Sequence, residues 1–260
     1  MEPRHYYTLF MLLALVVFVV VRYLQPKTPG MAALLWWQRL ALALAAFVGG
    51  VLGAKASFAL AETNNWFSLD DWKGAWFKDG KTITTGLIGA YLSVEITKLA
   101  LGVRVKTGDS FALPIAAAMA VGRWGCFFNG CCYGTPTDLP WGVPFRQLDG
   151  QIIRCHPTQI YESLFHLTMA GVLCVLIYKD WLRYQRLKFY LISYGVYRFF
   201  TEFIRPEPEW WLGLTFYQWA AVALVAGLAA QWAWDQRLVA RERRSTDRAS
   251  VPVELAIPLD

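Results

Sequence analysis

Two arginines, Arg123 and Arg198, stand in stretches that are otherwise apolar or aromatic. Placing an arginine at membrane depth costs about 2.5–3.5 kcal/mol on insertion scales, so each needs a partner and a reason to be there. Glu202 lies four residues after Arg198 on the same helix face, where the two can pair, and Arg205 follows one turn on. Arg123 sits in Val121–Gly134, which holds four glycines, an asparagine and three cysteines in fourteen residues. The natural counterparts of a guanidinium at the edge of a bilayer are a carboxylate or a lipid phosphate. Two arginines converging with Tyr194, Tyr197 and a carboxylate would form an electropositive pocket. Such a pocket can grip a phosphate ester and stabilise the charge that develops as it leaves. The alternative is a packing network whose charges only cancel, with Arg123 capping a turn.

Other residue types with chemistry cluster nearby in sequence. His156, Gln159 and Glu162 are spaced by three along the start of an apolar segment, and so share a face. The turn from Thr84 to Ala90 is rich in small residues, which allow close approach by a neighbouring helix or a ligand. Cys126, Cys131, Cys132 and Cys155, with His156, could be read as metal ligands or as disulfide partners. However, the spacing C-x4-C-C lacks the paired C-x-x-C knuckles of a zinc site, and no metal is expected. No lipase-type G-x-S-x-G, Walker loop, HExxH or dinucleotide fingerprint is present, which argues against a serine triad.

The elements that must position these residues are membrane helices. The chain is 56% hydrophobic and 16% aromatic with only 17% charge, and its mean hydropathy is +0.33. Soluble domains carry about 25% charge. The net charge of +6 comes from basic residues scattered between apolar runs, so nucleic acid is not an expected partner. Apolar segments run over Tyr7–Tyr23, Ala32–Leu60, Ile83–Leu101, Phe111–Val121, Cys155–Tyr178, Lys188–Ile204 and Leu212–Trp234. The fourth is too short to span, and its glycines predict that it continues as a broken, re-entrant loop. Residues 62–81, with Trp66, Trp72 and Trp76, read as an amphipathic arm on the membrane surface. Thr135–Arg154 reads as an ordered loop and candidate lid. The expected fold is thus an all-α integral membrane domain over residues 1–235, with seven transmembrane helices. A basic, disordered cytoplasmic tail would occupy residues 236–260. Fifteen basic residues fall on one side of this topology and seven on the other, which places the tail in the cytoplasm and the Arg123 end outside.

Three motifs in order carry a resemblance: Gly122-Arg-x-Gly-x-Phe-x-Asn-Gly130 followed by Gly134, His156-Pro-Thr-Gln-Ile-Tyr-Glu162, and Tyr194-Gly-x-x-Arg-x-x-x-Glu-Phe-x-Arg205. From about residue 80 to 235 the sequence resembles the bacterial prolipoprotein diacylglyceryl transferase family. The resemblance implies a multi-pass enzyme of the cell inner membrane, working in lipoprotein biosynthesis from the periplasmic side. It would move diacylglyceryl from phosphatidylglycerol to the thiol of a prolipoprotein lipobox cysteine, with no cofactor. Arg123, Arg198 and Glu202 match the family's catalytic positions. Asn129, Gly134 and Tyr194 also match, and are expected to bind substrate with His156 and with Thr84, Gly86 and Gly89, which would let the lipid approach the backbone. The departures are specific. Thr84 stands where the family has a histidine, a candidate base for the thiol. Cys126 and Cys131 stand where it has asparagine and glutamate. Threonine cannot act as a base near neutral pH. An alternative is therefore a paralogue that binds or moves phospholipid, or transfers to another acceptor.

Overall fold

The computed structural model describes residues 3–26, 28–62, 82–147 and 150–249. The aromatic arm expected over residues 62–81 lies outside them from residue 63 onward. Seven long helices are present among the described residues: α1 Pro3–Leu24, α2 Trp36–Glu62, α3 Ile83–Ala100, α4 Asp109–Phe128, α5 Thr158–Tyr178, α6 Arg186–Thr201 and α7 Phe216–Ala249. A single helical turn, Pro29–Ala32, precedes α2. Among the described residues, four stretches are long and apolar enough to cross a membrane: His5–Leu24, Trp36–Ala56, Asp109–Phe128 and Thr158–Tyr178. The protein is an all-helical membrane chain. The outward face of α1 (Leu9, Leu12, Leu15, Val16, Val19) is exposed, as a lipid-facing helix requires.

The glycine-rich stretch departs from expectation. α4 runs unbroken through Gly122, Arg123 and Gly125 to Phe128, and only then turns. The glycines do not break the helix; they seat α1 against it. A Cβ on Gly125 would lie 3.0 Å from Phe10 Cβ and 3.1 Å from Met11 Cε, and one on Gly122 would lie 3.4 Å from Met11. Phe10 stacks on Phe128 at 5.3 Å, and Phe18 on Phe111 at 6.5 Å, which ties the two helices along their length. Small-residue contacts of this kind are the usual glue between helices in lipid.

The same device joins α2 to α3. Gly49, Gly50 and Gly53 face Gly86 and Gly89, with the Cα of Gly53 3.0 Å from a Cβ built on Gly89. Thr84–Ala90, expected as a turn, is instead the start of α3, and its small residues receive a helix. α4 to α7 close on a core of Ala112, Ala116, Met169, Leu173, Tyr190, Leu191, Leu224 and Leu228. α7 continues through the arginine-rich stretch to Ala249, where a disordered tail was expected from residue 236. That stretch contains neither glycine nor proline before Pro252 and is rich in strong helix formers.

Among the described residues two small hairpins sit in the connections. β1 (Val143–Arg146) pairs with β2 (Ile152–Cys155), and β3 (Glu209–Trp211) with β4 (Leu214–Thr215). The first occupies the expected loop over Thr135–Arg154. Phe145 fixes it over the end of α4, stacking on Tyr133 at 4.9 Å and meeting Phe127 edge-on at 6.0 Å. At the opposite end of the bundle Asp109 accepts hydrogen bonds from the backbone N–H of Tyr184 (2.5 Å) and Arg186 (3.0 Å).

A buried arginine–carboxylate centre at one end of the bundle

The C-terminal ends of α4 and α6 meet the start of α5 and α7 at one end of the molecule. Arg123, in the last two turns of α4, is ion-paired through Nη2 to Glu162 Oε1 on α5. The same oxygen accepts a 2.8 Å hydrogen bond from the hydroxyl of Tyr194 on α6. His166 Nε2 lies 3.7 Å from it, and the other ring nitrogen meets the Tyr190 hydroxyl at 2.9 Å. One turn beyond Tyr194, Arg198 Nη2 is 2.8 Å from Glu202 Oε2, the pair that the spacing of four predicts. Glu202 is held further by Thr215 Oγ1 at 3.3 Å and lies 3.8 Å from Arg205 Nε. Tyr194, Glu162 and Glu202 are essentially sealed from solvent.

Burial of this much charge is tolerable only because each ion has an opposite within reach. The pairing is not complete, however. Among the described residues Arg123 Nε and Gln159 Oε1 are buried without a hydrogen-bond partner. A buried donor left unmade costs roughly 1–3 kcal/mol, so an unpaired guanidinium N–H in a carboxylate-rich centre is a position for an anionic acceptor. Beside Arg198, an apolar groove of about 280 Å³ runs between α6 and α7, lined by Gly195, Val196, Phe199, Phe200, Val222 and Val225.

The structure thus brings Arg123, Tyr194, Arg198 and Glu202 into one network, and adds two residues the expected site lacked. Glu162 was placed on the right face but not paired with Arg123. His166 follows it by one turn and could have been found by the same spacing. Asn129 caps α4 and is exposed, beside the Cys131 sulfur. Gly134 is where three segments cross: a Cβ there would lie 2.5–2.9 Å from Ile204 O, His156 Cβ and Thr158 Cγ2. His156 precedes α5, with its Nδ1 3.3 Å from the Tyr161 hydroxyl and outside the buried network. Thr84 is buried, while Gly86 and Gly89 are covered by α2.

A family model described as prolipoprotein diacylglyceryl transferase matches residues 3–234. The chain belongs to the prolipoprotein diacylglyceryl transferase family. Curated relatives named phosphatidylglycerol–prolipoprotein diacylglyceryl transferase include one from Finegoldia magna, 30% identical over 202 residues, covering 75% of this chain and 77% of the relative. One from Clostridium tetani is 34% identical over 175 residues, covering 65% of this chain and 68% of the relative. One from Cupriavidus pinatubonensis is 30% identical over 268 residues, covering 93% of this chain and 92% of the relative.

The end of α4 also carries a group of thiols. All five cysteines, each among the described residues, are free thiols. The sulfurs of Cys126, Cys131 and Cys132 lie within 4.8 Å of one another. The Cys126 and Cys131 thiols beside Cys132 draw its own thiol below the usual range, helped by Arg123 and Arg205. Cys155 is apart from them in β2, where burial pushes its thiol up.

Proposed function

We propose that this chain transfers diacylglyceryl from phosphatidylglycerol to the lipobox cysteine of a prolipoprotein. The observation that carries the reading is the buried Arg123 guanidinium, paired to Glu162 on one edge and unpaired at Nε. In this reading the seven long helices span the bacterial cytoplasmic membrane, with the Arg123 end toward the periplasm and the C-terminus in the cytoplasm. The lipid phosphate lies between Arg123 and Arg198, and an acyl chain follows the apolar groove along α6 and α7. The acceptor sulfur attacks the glyceryl carbon that bears the phosphate ester. A carbon–sulfur bond forms as the carbon–oxygen bond breaks, and glycerol phosphate leaves. Charge gathers on the departing oxygen, where prepaid cationic donors are most effective. Glu162 and Glu202 hold the two guanidinium planes in place, while Tyr194 orders Glu162.

Purified protein in phosphatidylglycerol micelles, given a lipobox peptide, should yield the diacylglyceryl adduct by mass spectrometry, and Arg123→Ala should not. No adduct, with a family enzyme active in parallel, would overturn the reading. Thr84 favours a second one, in which the scaffold binds lipid or serves another acceptor. If the natural chain is inert and Thr84→His creates activity, that second reading holds.

A further inference from the structure

The transfer needs a thiolate, and among the described residues neither Thr84 nor His166 or His156 stands free beside the arginine centre to act as the base. Thr84 has no basic group. His166 is fully buried behind Glu162 and Tyr190, and His156 is engaged with Tyr161. What the site does contain is a cluster of three sulfurs. Cys126 lies in the last turn of α4, and the turn through Asn129 and Gly130 folds Cys131 and Cys132 back over the helix end. Cys132 is held at φ 64°, a left-handed conformation that costs an ordinary residue roughly 1–2 kcal/mol. The loop is pinned from behind. Gln159 Nε2 donates to Cys131 O and Thr158 Oγ1 to Cys132 O, both at 2.6 Å, and Arg205 Nη1 reaches Cys132 O at 3.4 Å. Strained backbone held this firmly is characteristic of functional sites.

We propose that Cys126, Cys131 and Cys132 bind one zinc ion, whose fourth position takes the acceptor thiol; this rests on the transferase reading. Sulfurs about 2.3 Å from a tetrahedral zinc are about 3.8 Å apart, so three already within 4.8 Å need shift by only about 1 Å. Among the described residues no fourth cysteine, histidine or carboxylate joins the group, and three protein ligands with an open place is the pattern of a catalytic zinc rather than a structural one. Cys132 is exposed, so the open place faces the outside. Three thiolates on a divalent ion leave one negative charge. Arg123 offsets it, its Nη1 4.0 Å from Cys126 Sγ. That contact also puts the ion next to the guanidinium that grips the phosphate.

The step balances without an oxidant or reductant. On coordination the acceptor thiol gives its proton to water and its sulfur stays bound as thiolate. That sulfur attacks the glyceryl carbon, and the electron pair of the broken carbon–oxygen bond leaves with glycerol phosphate. The product thioether is neutral and a weaker ligand, so it departs. A metal-activated thiol then takes the place of a general base.

The full-length protein, purified without chelator in phosphatidylglycerol micelles, should carry about one zinc per chain. The chain bearing Cys126→Asn, Cys131→Glu and Cys132→Ser should carry none and transfer about 10²–10⁴-fold more slowly, the range a positioned base supplies. Because that variant could fail by misfolding, the unmutated protein is loaded with cobalt(II) and its visible spectrum recorded. Intense tetrahedral thiolate bands that change with a lipobox cysteine peptide, but not with its serine analogue, support the proposal. Bands indifferent to the cysteine peptide, no metal uptake, or a disulfide among the three thiols in active protein would each overturn it while leaving the transferase reading standing. A cysteine-specific change without any diacylglyceryl adduct keeps the thiol-binding metal site and removes the transferase reading.

Discussion

Glu162 and Arg123 are locked together across the α4–α5 interface, with only 2% and 7% of their side chains exposed. Because Tyr194 donates to the same carboxylate oxygen, one atom of Glu162 fixes side chains from two other helices. Val121–Gly134 around Arg123 holds no carboxylate of its own, so its counter-ion is supplied by α5.

Glu162→Gln should be more damaging than its size suggests. It strands a buried guanidinium, and breaking one side of a buried pair costs roughly 3–5 kcal/mol. The melting temperature in detergent should fall sharply and transfer should cease. The double variant Arg123→Gln, Glu162→Gln should melt closer to the natural protein but stay inactive. A double variant as unstable as the sum of the two single ones would show that the pair is not coupled.

Arg198→Lys keeps the charge and loses the planar fork. Lysine can still answer Glu202, which keeps Thr215 at 3.3 Å, so melting should change little. Transfer should fall by about 10²–10³-fold, the usual cost of removing one donor from a developing oxyanion. Equal losses in melting and activity would assign Arg198 to packing instead.

Local spacing made part of this centre readable. Arg198 and Glu202 are four apart on one helix, and an arginine in an apolar stretch announces itself by its cost. The Arg123–Glu162 pair joins positions on different helices, so no periodicity points to it. Gly122 and Gly125 have the composition of a helix break, yet their smallness serves Phe10 and Met11 of α1, more than a hundred residues earlier. The three sulfurs converge through the left-handed Gly130 and Cys132, a turn that the spacing C-x4-C-C does not reveal.

At the far end, Asp235 accepts from Lys188 at 2.5 Å, Lys106 at 2.6 Å and Gln185 at 3.0 Å. Burial alone would raise its carboxyl, but these donors outweigh it and hold the group at about 2 against an ordinary 3.8. A lowered folded value means stability that is present above about pH 4 and is lost as the pH falls toward 2. Asp235→Asn should therefore lower the melting temperature at pH 7 and flatten its fall between pH 4 and 2. Lys106 is 39% exposed, so added salt should shrink the difference. A pH profile unchanged by the substitution would rule out Asp235 as the titrating group.

Gly89→Ala separates two readings of the small residues in α3. If they exist to seat α2, the added methyl meets the backbone of Gly49 and Gly53 and forces the helices apart. Overpacking of this kind costs about 1–3 kcal/mol, and the melting temperature should fall while the lipid KM of the remaining folded enzyme stays constant. Gly171→Ala is the control: nothing lies within 4 Å of a Cβ there, and alanine is the better helix former. It should leave melting unchanged or raise it. The opposite pattern, with Gly89→Ala melting normally and the KM for phosphatidylglycerol rising, would return that glycine to the lipid site.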